Sequence, residues 1–167
     1  MSFIGDLDKR LKKKKVPKSV QRFIEEHVKA GKRFLLFVPR ITLLVPIEIV
    51  LRRQFPNAKF ETVSSKEPYR QERIAQMRAG ELDFLVTTTI LERGVTFPGV
   101  DVCVVNAHEE EFSREVLVQI AGRVGRTAEC PTGEVVYFHN GKTKAMVQAV
   151  WEIKDLNQQA LLGRESK

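Results

Sequence analysis

Two arginines near residue 125 are the side chains best suited to chemistry in this chain. Arg123 and Arg126 lie in the segment QIAGRVGR, residues 119–126, and each directly follows a glycine. A separation of three residues places them side by side on a helix, and the glycines let the backbone approach another surface closely. Guanidinium groups bind phosphate oxygens in planar pairs, so the segment suits the stabilisation of a transferring phosphoryl group across an interface. A surface helix end with two solvated arginines is the alternative interpretation.

A second polar segment is TTTILERGVTFP, residues 87–98, which directly follows the apolar run LDFLV. Threonines at the carboxyl end of a strand, here Thr87 and Thr88, offer hydroxyl and backbone N–H groups to a phosphate. Gly94 permits a tight turn between them and the end of the segment. An ordinary strand-to-loop transition would explain the same residues.

The chain around both segments alternates between strand and helix patterns. This alternation predicts a single α/β domain, with a mostly parallel sheet covered by helices on both faces. Ligands of such sheets bind at the carboxyl ends of the strands, which points to the loops after Val38, Thr87 and Asn106. The predicted strands are 33–38, 60–63, 82–87, 101–106 and 134–138, and the predicted helices are 17–31, 42–54, 68–79, 113–121 and 142–161.

Composition limits the class of protein. The length of 167 residues suits one domain with a hydrophobic core, and 43% hydrophobic with 29% charged residues is typical of a globular protein. No apolar run reaches the roughly 18 residues of a membrane span, so no direct membrane insertion is expected. Two cysteines are too few for a disulfide framework or a cysteine metal cluster. We therefore expect no metal ligands and a cytoplasmic location, with any recruitment to the inner face of the membrane through partners.

The excess positive charge is concentrated at the amino terminus. Residues 1–33 carry eleven of the 28 Lys and Arg residues and four of the 21 Asp and Glu residues, so the rest of the chain is neutral. The sequence divides into a basic arm at 1–16 and a domain at 17–167. The arm contains four consecutive lysines that could contact single-stranded DNA, or could lie in a solvated linker; they are Lys12, Lys13, Lys14 and Lys15.

Together the two polar segments resemble the carboxy-terminal motifs of superfamily 2 helicases. TTTILERGVTFP is similar to motif V, QIAGRVGR to motif VI, and LLFVPR at 35–40 to motif IV, and the resemblance covers roughly residues 17–160. Within the superfamily, the sequences of these segments most resemble the ComFA family, which is implicated in drawing single-stranded DNA into competent bacteria. The resemblance implies the second RecA-like domain of an ATP-dependent DNA helicase or translocase. Its implied partners are single-stranded DNA, a first RecA-like domain and other competence proteins.

The resemblance also implies roles for individual residues. Arg123 and Arg126 match the motif VI arginines that reach a triphosphate bound to the first domain, with Arg126 as the arginine finger. The motif V threonines Thr87 and Thr88 match nucleic-acid phosphate contacts, and Arg40 is a further DNA-contact candidate. Many relatives carry aspartate where this chain has Thr96. The expected nucleotide-side residues are Gln119, Gly122, Gly94 and Thr96.

Several elements of a complete motor are missing from the sequence. It has no GxxxxGK[ST] phosphate loop and no acidic Mg²⁺ motif, and the tripeptide 141–143, Gly-Lys-Thr, is predicted to be a turn followed by a helix start. ATP and Mg²⁺ are therefore expected in a longer protein, with none bound by this chain alone, which would be inactive. The alternatives are a stand-alone nucleic-acid or protein-binding module with a degenerate helicase fold, or a domain of another motor such as a primosomal helicase.

Other residues receive structural interpretations. The acidic run Glu109, Glu110 and Glu111 is predicted to be a solvated loop or a contact surface. Cys103 is predicted to be buried, and His27, His108 and His139 have no ligand partners at useful spacing, so packing or surface roles are favoured, with His108 near the interdomain cleft as an alternative. An apolar stripe on the last helix is predicted to be core; its members are Met146, Val147, Val150, Trp151 and Ile153.

Overall fold

The computed structural model describes residues 2–3, 10–11, 15–64, 68–88, 97, 100–123 and 134–165, and of these the side chains of 2, 3, 123 and 156–165 are left aside. Within these residues, six strands form one sheet in the order β1-β6-β5-β2-β4-β3, and every neighbouring pair is parallel. The strands are β1 (Ser2–Phe3), β2 (Phe34–Phe37), β3 (Phe60–Val63), β4 (Phe84–Thr87), β5 (Asp101–Val105) and β6 (Val135–His139).

Helices cover both faces of this sheet, as the alternating sequence pattern predicts. One face packs against α1 (Lys18–Ala30) and α2 (Leu44–Gln54), and a 3-10 turn at Ile41–Leu43 leads into α2. The other face packs against three helices. They are α3 (Arg70–Arg78), α4 (Arg114–Arg123) and α5 (Lys144–Glu165).

The central strands are buried on both faces because their side chains alternate between two cores. In β2, Leu35 and Phe37 enter the core under α3, α4 and α5, whereas Phe34 and Leu36 enter the core under α1 and α2. The ring of Phe84 is stacked between two other phenylalanine rings, with centroid separations of 4.7 Å to Phe34 and 4.6 Å to Phe60. The apolar run of β2 is therefore nearly continuous because the strand is buried on both faces.

The predicted fold class is confirmed, and the predicted elements agree with the observed ones to within a few residues. Helix α4 begins where Ser113 Oγ accepts a hydrogen bond from Val116 N at 3.3 Å, which is the predicted cap. Ser2–Phe3, inside the predicted basic arm, adds a short sixth strand beside β6 that the sequence pattern did not reveal. Cys103 is fully buried as predicted, and burial raises the pKa of its thiol.

The prediction of a wholly buried apolar stripe on α5 is wrong for two residues. Met146 is fully buried and Val150 packs against the core, whereas Trp151 and Val147 are 73% and 39% exposed. Ala149 supplies the next core contact after Met146. The buried face of α5 therefore runs through 146, 149 and 150, and residues 147 and 151 lie further round the helix.

Two arginines cover the free edge of β3, at one margin of the sheet. Arg52 Nη2 donates to the carbonyl oxygen of Phe60 at 3.4 Å, and Arg73 Nη1 donates to that of Thr62 at 2.6 Å. Both guanidinium groups lie 3.6 Å from Glu61 Oε2. Alternate carbonyls of an edge strand are thus occupied, which protects this edge from pairing with another strand.

A buried carboxylate joins three elements at the amino end of β5. Asp101 is fully buried, and its Oδ2 lies 2.8 Å from His27 Nε2 on α1 and 3.2 Å from Lys32 Nζ. Its Oδ1 accepts a hydrogen bond of 2.9 Å from Glu134 N, just before β6. The side chain therefore fixes the start of the central strand against α1 and β6.

Replacing Asp101 by asparagine is expected to lower the free energy of unfolding by about 2–4 kcal/mol, because the amide group that replaces this fully buried carboxylate cannot accept from both His27 Nε2 and Lys32 Nζ while it still accepts from Glu134 N. Asp83→Asn is the matched control, since Asp83 Oδ2 accepts one hydrogen bond of 2.8 Å from Lys59 N just before β4. Its cost should be about 1 kcal/mol. Urea unfolding of both variants gives the comparison, and equal costs would refute a special role for Asp101.

Candidate nucleotide and nucleic-acid interface

Four adjacent strands end at the same end of the sheet, and the loops that follow them lie together there. This region is here called the carboxyl edge (residues 38–40, 87–88, 106–109 and 139–141). Val38 N donates to Thr87 O at 2.8 Å, which joins the ends of β2 and β4. Ala107 N donates to Phe138 O at 2.9 Å, which joins the ends of β5 and β6. The three loops that the sequence predicted to carry chemistry therefore lie side by side.

Thr87 and Thr88 stand at the end of β4, and both side chains are buried. Thr87 Oγ1 makes one long hydrogen bond, 3.5 Å, to the carbonyl oxygen of Thr88. Thr88 Oγ1 is buried and has no hydrogen-bond partner among the described residues. A buried hydroxyl usually has a partner, so Thr88 is suited to an acceptor or donor supplied by a ligand.

Arg40, a DNA-contact candidate from the sequence, is held by a carboxylate from the neighbouring loop. Its Nε lies 2.9 Å from Glu109 Oε1, and its Nη2 donates to Glu109 Oε2 at 3.5 Å. Asn106 Nδ2 donates to the same Oε2 at 2.6 Å. Glu109 is thus part of a specific network, and only its neighbour Glu110 in the acidic run is exposed.

Two histidines lie at the carboxyl edge beside β6. His108 Nδ1 accepts a hydrogen bond from Asn140 N at 2.9 Å, and His139 Nδ1 accepts one from Gly141 N at 3.0 Å. Burial lowers the pKa of His139, and nearby positive charges, including Lys142, add to the effect. The Nδ1 atoms of both rings therefore accept backbone N–H groups and shape the loop after β6.

Helix α4 carries the motif that the sequence analysis linked to the nucleotide. Gln119 and Gly122 are exposed on this helix, whose last residue is Arg123. A Cβ atom built on Gly122 would meet nothing within 4 Å. The described part of the chain thus gives no reason for glycine at this position, and a surface approaching from outside the domain would give one.

Other predicted site residues lie outside the described residues, and their roles stay predictions. They include the finger candidate Arg126, the side chain of Arg123, and the motif V residues Gly94 and Thr96. Of the four consecutive lysines of the arm, only Lys15 is described, and it is exposed. The undescribed three are Lys12, Lys13 and Lys14.

The Gly-Lys-Thr sequence at 141–143 forms a turn that caps α5, as predicted. Thr143 Oγ1 accepts a hydrogen bond from Met146 N at 3.2 Å, so the hydroxyl is used by the helix start. Gly141 has a φ of +126°, which favours glycine. Lys142 is exposed beside this turn. The hydroxyl that a phosphate loop would direct to a Mg²⁺ ion is therefore engaged in capping.

Sequence reasoning missed Asn106 and Glu109 as members of the site. Asn106 has a φ of +57°, an uncommon conformation for a residue other than glycine, and Glu109 N donates to its carbonyl oxygen at 3.0 Å. A tight turn directly after a buried strand was the available signal, because asparagine tolerates that conformation best. The contact with Arg40 joins residues 69 apart and gives no local pattern.

The sheet, its two helical layers and its polar carboxyl edge define an α/β domain of the RecA-like class. The chain belongs to the helicase conserved C-terminal domain family, whose family model matches residues 14–128. It is 43% identical over 156 residues to the competence protein ComFA of Bacillus subtilis, covering 93% of this chain and 33% of that protein. The corresponding identity to ComFA of Streptococcus pneumoniae is 39% over 158 residues, covering 95% and 37%.

Solved structures agree with this assignment at the level of the fold. Domain 2 of the DEAD-box helicase Mss116p, bound to an RNA duplex, superposes with a TM-score of 0.60 at 20% identity, covering 92% of this chain and 57% of that one. The chain spans about a third of the length of the curated ComFA relatives. Among the described helices, none combines the length and the apolar character needed to cross a membrane.

Thr88→Val is expected to leave the free energy of unfolding within about 1 kcal/mol of the wild type, since removing an unpaired buried hydroxyl is nearly neutral or stabilising. Affinity for single-stranded DNA should fall by about three- to tenfold if the hydroxyl contacts a phosphate. Thr62→Val, at a buried position on β3, is the control and should bind normally. Wild-type affinity in Thr88→Val, measured by fluorescence anisotropy, would exclude the contact.

Proposed function

We propose that this chain is the carboxy-terminal motor domain of an ATP-dependent DNA translocase of the ComFA type, acting in the uptake of single-stranded DNA during competence. The hydroxyl of Thr88, which is buried at the carboxyl edge and has no hydrogen-bond partner among the described residues, carries the proposal, because it offers a phosphate partner at the position of motif V. Arg40, whose side chain is 37% exposed, lies at the end of the adjacent strand and supplies a cation there. Family membership and the two ComFA relatives support the motor assignment.

The nucleotide would be bound between this domain and an amino-terminal RecA-like domain elsewhere in a longer protein. When bound there, ATP would supply the γ-phosphoryl group that is transferred to water, and Mg²⁺ would neutralise the charge of the phosphates. Gln119 and the exposed face of α4 at Gly122 would meet that domain, together with Gly94 and Thr96 of motif V. Arg123 and Arg126 would then place positive charge beside the γ-phosphate, where such an arginine is worth roughly 10³–10⁵ in rate.

The residues present fit half of a nucleotide site. The exposed, uncrowded Gly122 fits a helix that meets another surface closely. The engagement of Thr143 in capping argues against a second, complete phosphate site at 141–143. Opening and closing of the two domains around the nucleotide would move the carboxyl edge along the DNA backbone.

Arg126→Ala, made in the protein that carries both RecA-like domains, is expected to lower DNA-stimulated ATPase activity at least about a hundredfold, since the developing phosphoryl charge loses its stabilising cation. Affinity for single-stranded DNA should stay within about twofold. Arg53→Ala, which removes an exposed arginine from α2, is the matched control and should retain activity. Equal loss of ATPase activity and DNA binding in Arg126→Ala would contradict the finger assignment.

This chain by itself is expected to show no ATPase activity with or without single-stranded DNA, because it holds no phosphate loop of its own. Phosphate release from purified protein is the measurement, with Lys142→Ala as the companion variant. Turnover that survives purification and falls in Lys142→Ala would mean that the 141–143 turn binds phosphate. The proposal of a shared site would then be wrong.

A further inference from the structure

Glu109 forms an ion pair that joins two loops at the carboxyl edge. Among the described residues, it is the member of the acidic run that does so. It reaches from the loop after β5 to Arg40 in the loop after β2. Its side chain is only 18% exposed, whereas that of Arg40 is 37% exposed. The carboxylate is therefore the sheltered member of the pair, and the guanidinium group is the member that solvent or a ligand can reach.

The position of Glu109 is itself fixed from several directions. Asn106 Nδ2 donates to Oε2 at 2.6 Å, and the backbone N–H of Glu109 donates to Asn106 O at 3.0 Å. Phe112 N donates to Glu109 O at 3.0 Å, and the ring of Phe112 is 1% exposed in the core. A carboxylate anchored in this way presents its two oxygens in a constant place.

We propose that Glu109 is a positioning residue that holds the Arg40 guanidinium group in place for a DNA phosphate at the carboxyl edge. This inference rests on the proposed function. An unrestrained arginine side chain loses much rotamer freedom when it binds a phosphate, and a carboxylate that already holds the guanidinium group in place removes part of that cost before binding. The Glu109 carboxylate forms an ion pair with Arg40, with Oε1 2.9 Å from Nε, and accepts one long hydrogen bond of 3.5 Å from Nη2, so it holds the guanidinium group beside the loop after β5.

A positioning role and simple charge repulsion predict opposite changes in DNA affinity when Glu109 is removed. Removing a negative charge near a DNA-binding surface should tighten binding, because repulsion of the phosphates decreases. Removing a carboxylate that positions the DNA-binding arginine should weaken binding instead. Glu109 and its exposed neighbour Glu110 make the same charge change when each is replaced by alanine, so the two variants separate the effects.

The experiment measures binding of a dye-labelled oligothymidylate by anisotropy over a salt titration. Arg40→Ala is expected to weaken binding about three- to tenfold and to reduce the slope of log affinity against log salt by about 0.7, the value of one lost phosphate contact. Glu109→Ala should weaken binding by about two- to fivefold. Glu110→Ala should leave affinity unchanged or raise it by up to about twofold.

A double variant shows whether Glu109 acts through Arg40. In the Arg40→Ala background, Glu109→Ala should no longer weaken binding, because the residue to be positioned is absent. Glu109→Gln keeps the side-chain shape and one acceptor oxygen but removes the charge of the ion pair, so it should give a smaller loss in the same direction. This variant also carries the test if Glu109→Ala fails to fold.

Three outcomes would overturn the inference. Glu109→Ala that binds as Glu110→Ala does would make Glu109 an ordinary surface charge. An unchanged affinity in Arg40→Ala would mean that Arg40 contacts no phosphate, while DNA binding through Thr88 and the proposed function would stand. A wild-type protein that binds no single-stranded DNA would remove both the inference and the function on which it rests.

Discussion

The contacts of the buried Asp101 carboxylate align the central strands, and the placement of the loops at the carboxyl edge depends on them. The carboxylate sits at the amino end of β5, a strand paired with β2 on one side and β6 on the other. Because its oxygens contact α1, the loop before β2 and the start of β6, the central strands are aligned where they begin. Parallel strands that start in register end in register, so the loops after β2, β5 and β6 emerge together at the carboxyl edge.

The sequence predicted the fold well because its signals were local. A strand buried on both faces must be nearly continuous in apolar residues, and the FLLF of β2 meets this requirement with all four side chains buried. Helix ends were marked by residues with a local mechanism, such as the Ser113 hydroxyl at α4 and the left-handed Gly31 after α1. Such signals need no knowledge of what the element packs against.

The failures have the opposite cause, since each depends on contacts between distant parts of the chain. Trp151 looked like a core residue because apolar side chains recur along α5, but which side of a helix is buried is decided by its neighbours in space. Ser2–Phe3 has no pattern of its own and becomes a strand because β6 offers a free edge. The pairing of Arg40 with Glu109 likewise joins two loops that only the sheet brings together.

The chain beyond residue 33, which includes the carboxyl edge, has no net charge. Several arginines of the described surface are paired with carboxylates, as Arg52 is with Glu48 and Arg114 with Glu115. A diffuse basic surface is therefore a weak explanation for any attraction of DNA to the domain itself. Under the proposed function, recognition of DNA would therefore depend on groups held at defined positions, such as the Thr88 hydroxyl and an arginine fixed by a carboxylate, because a few well-placed donors to phosphate fix register where net charge cannot.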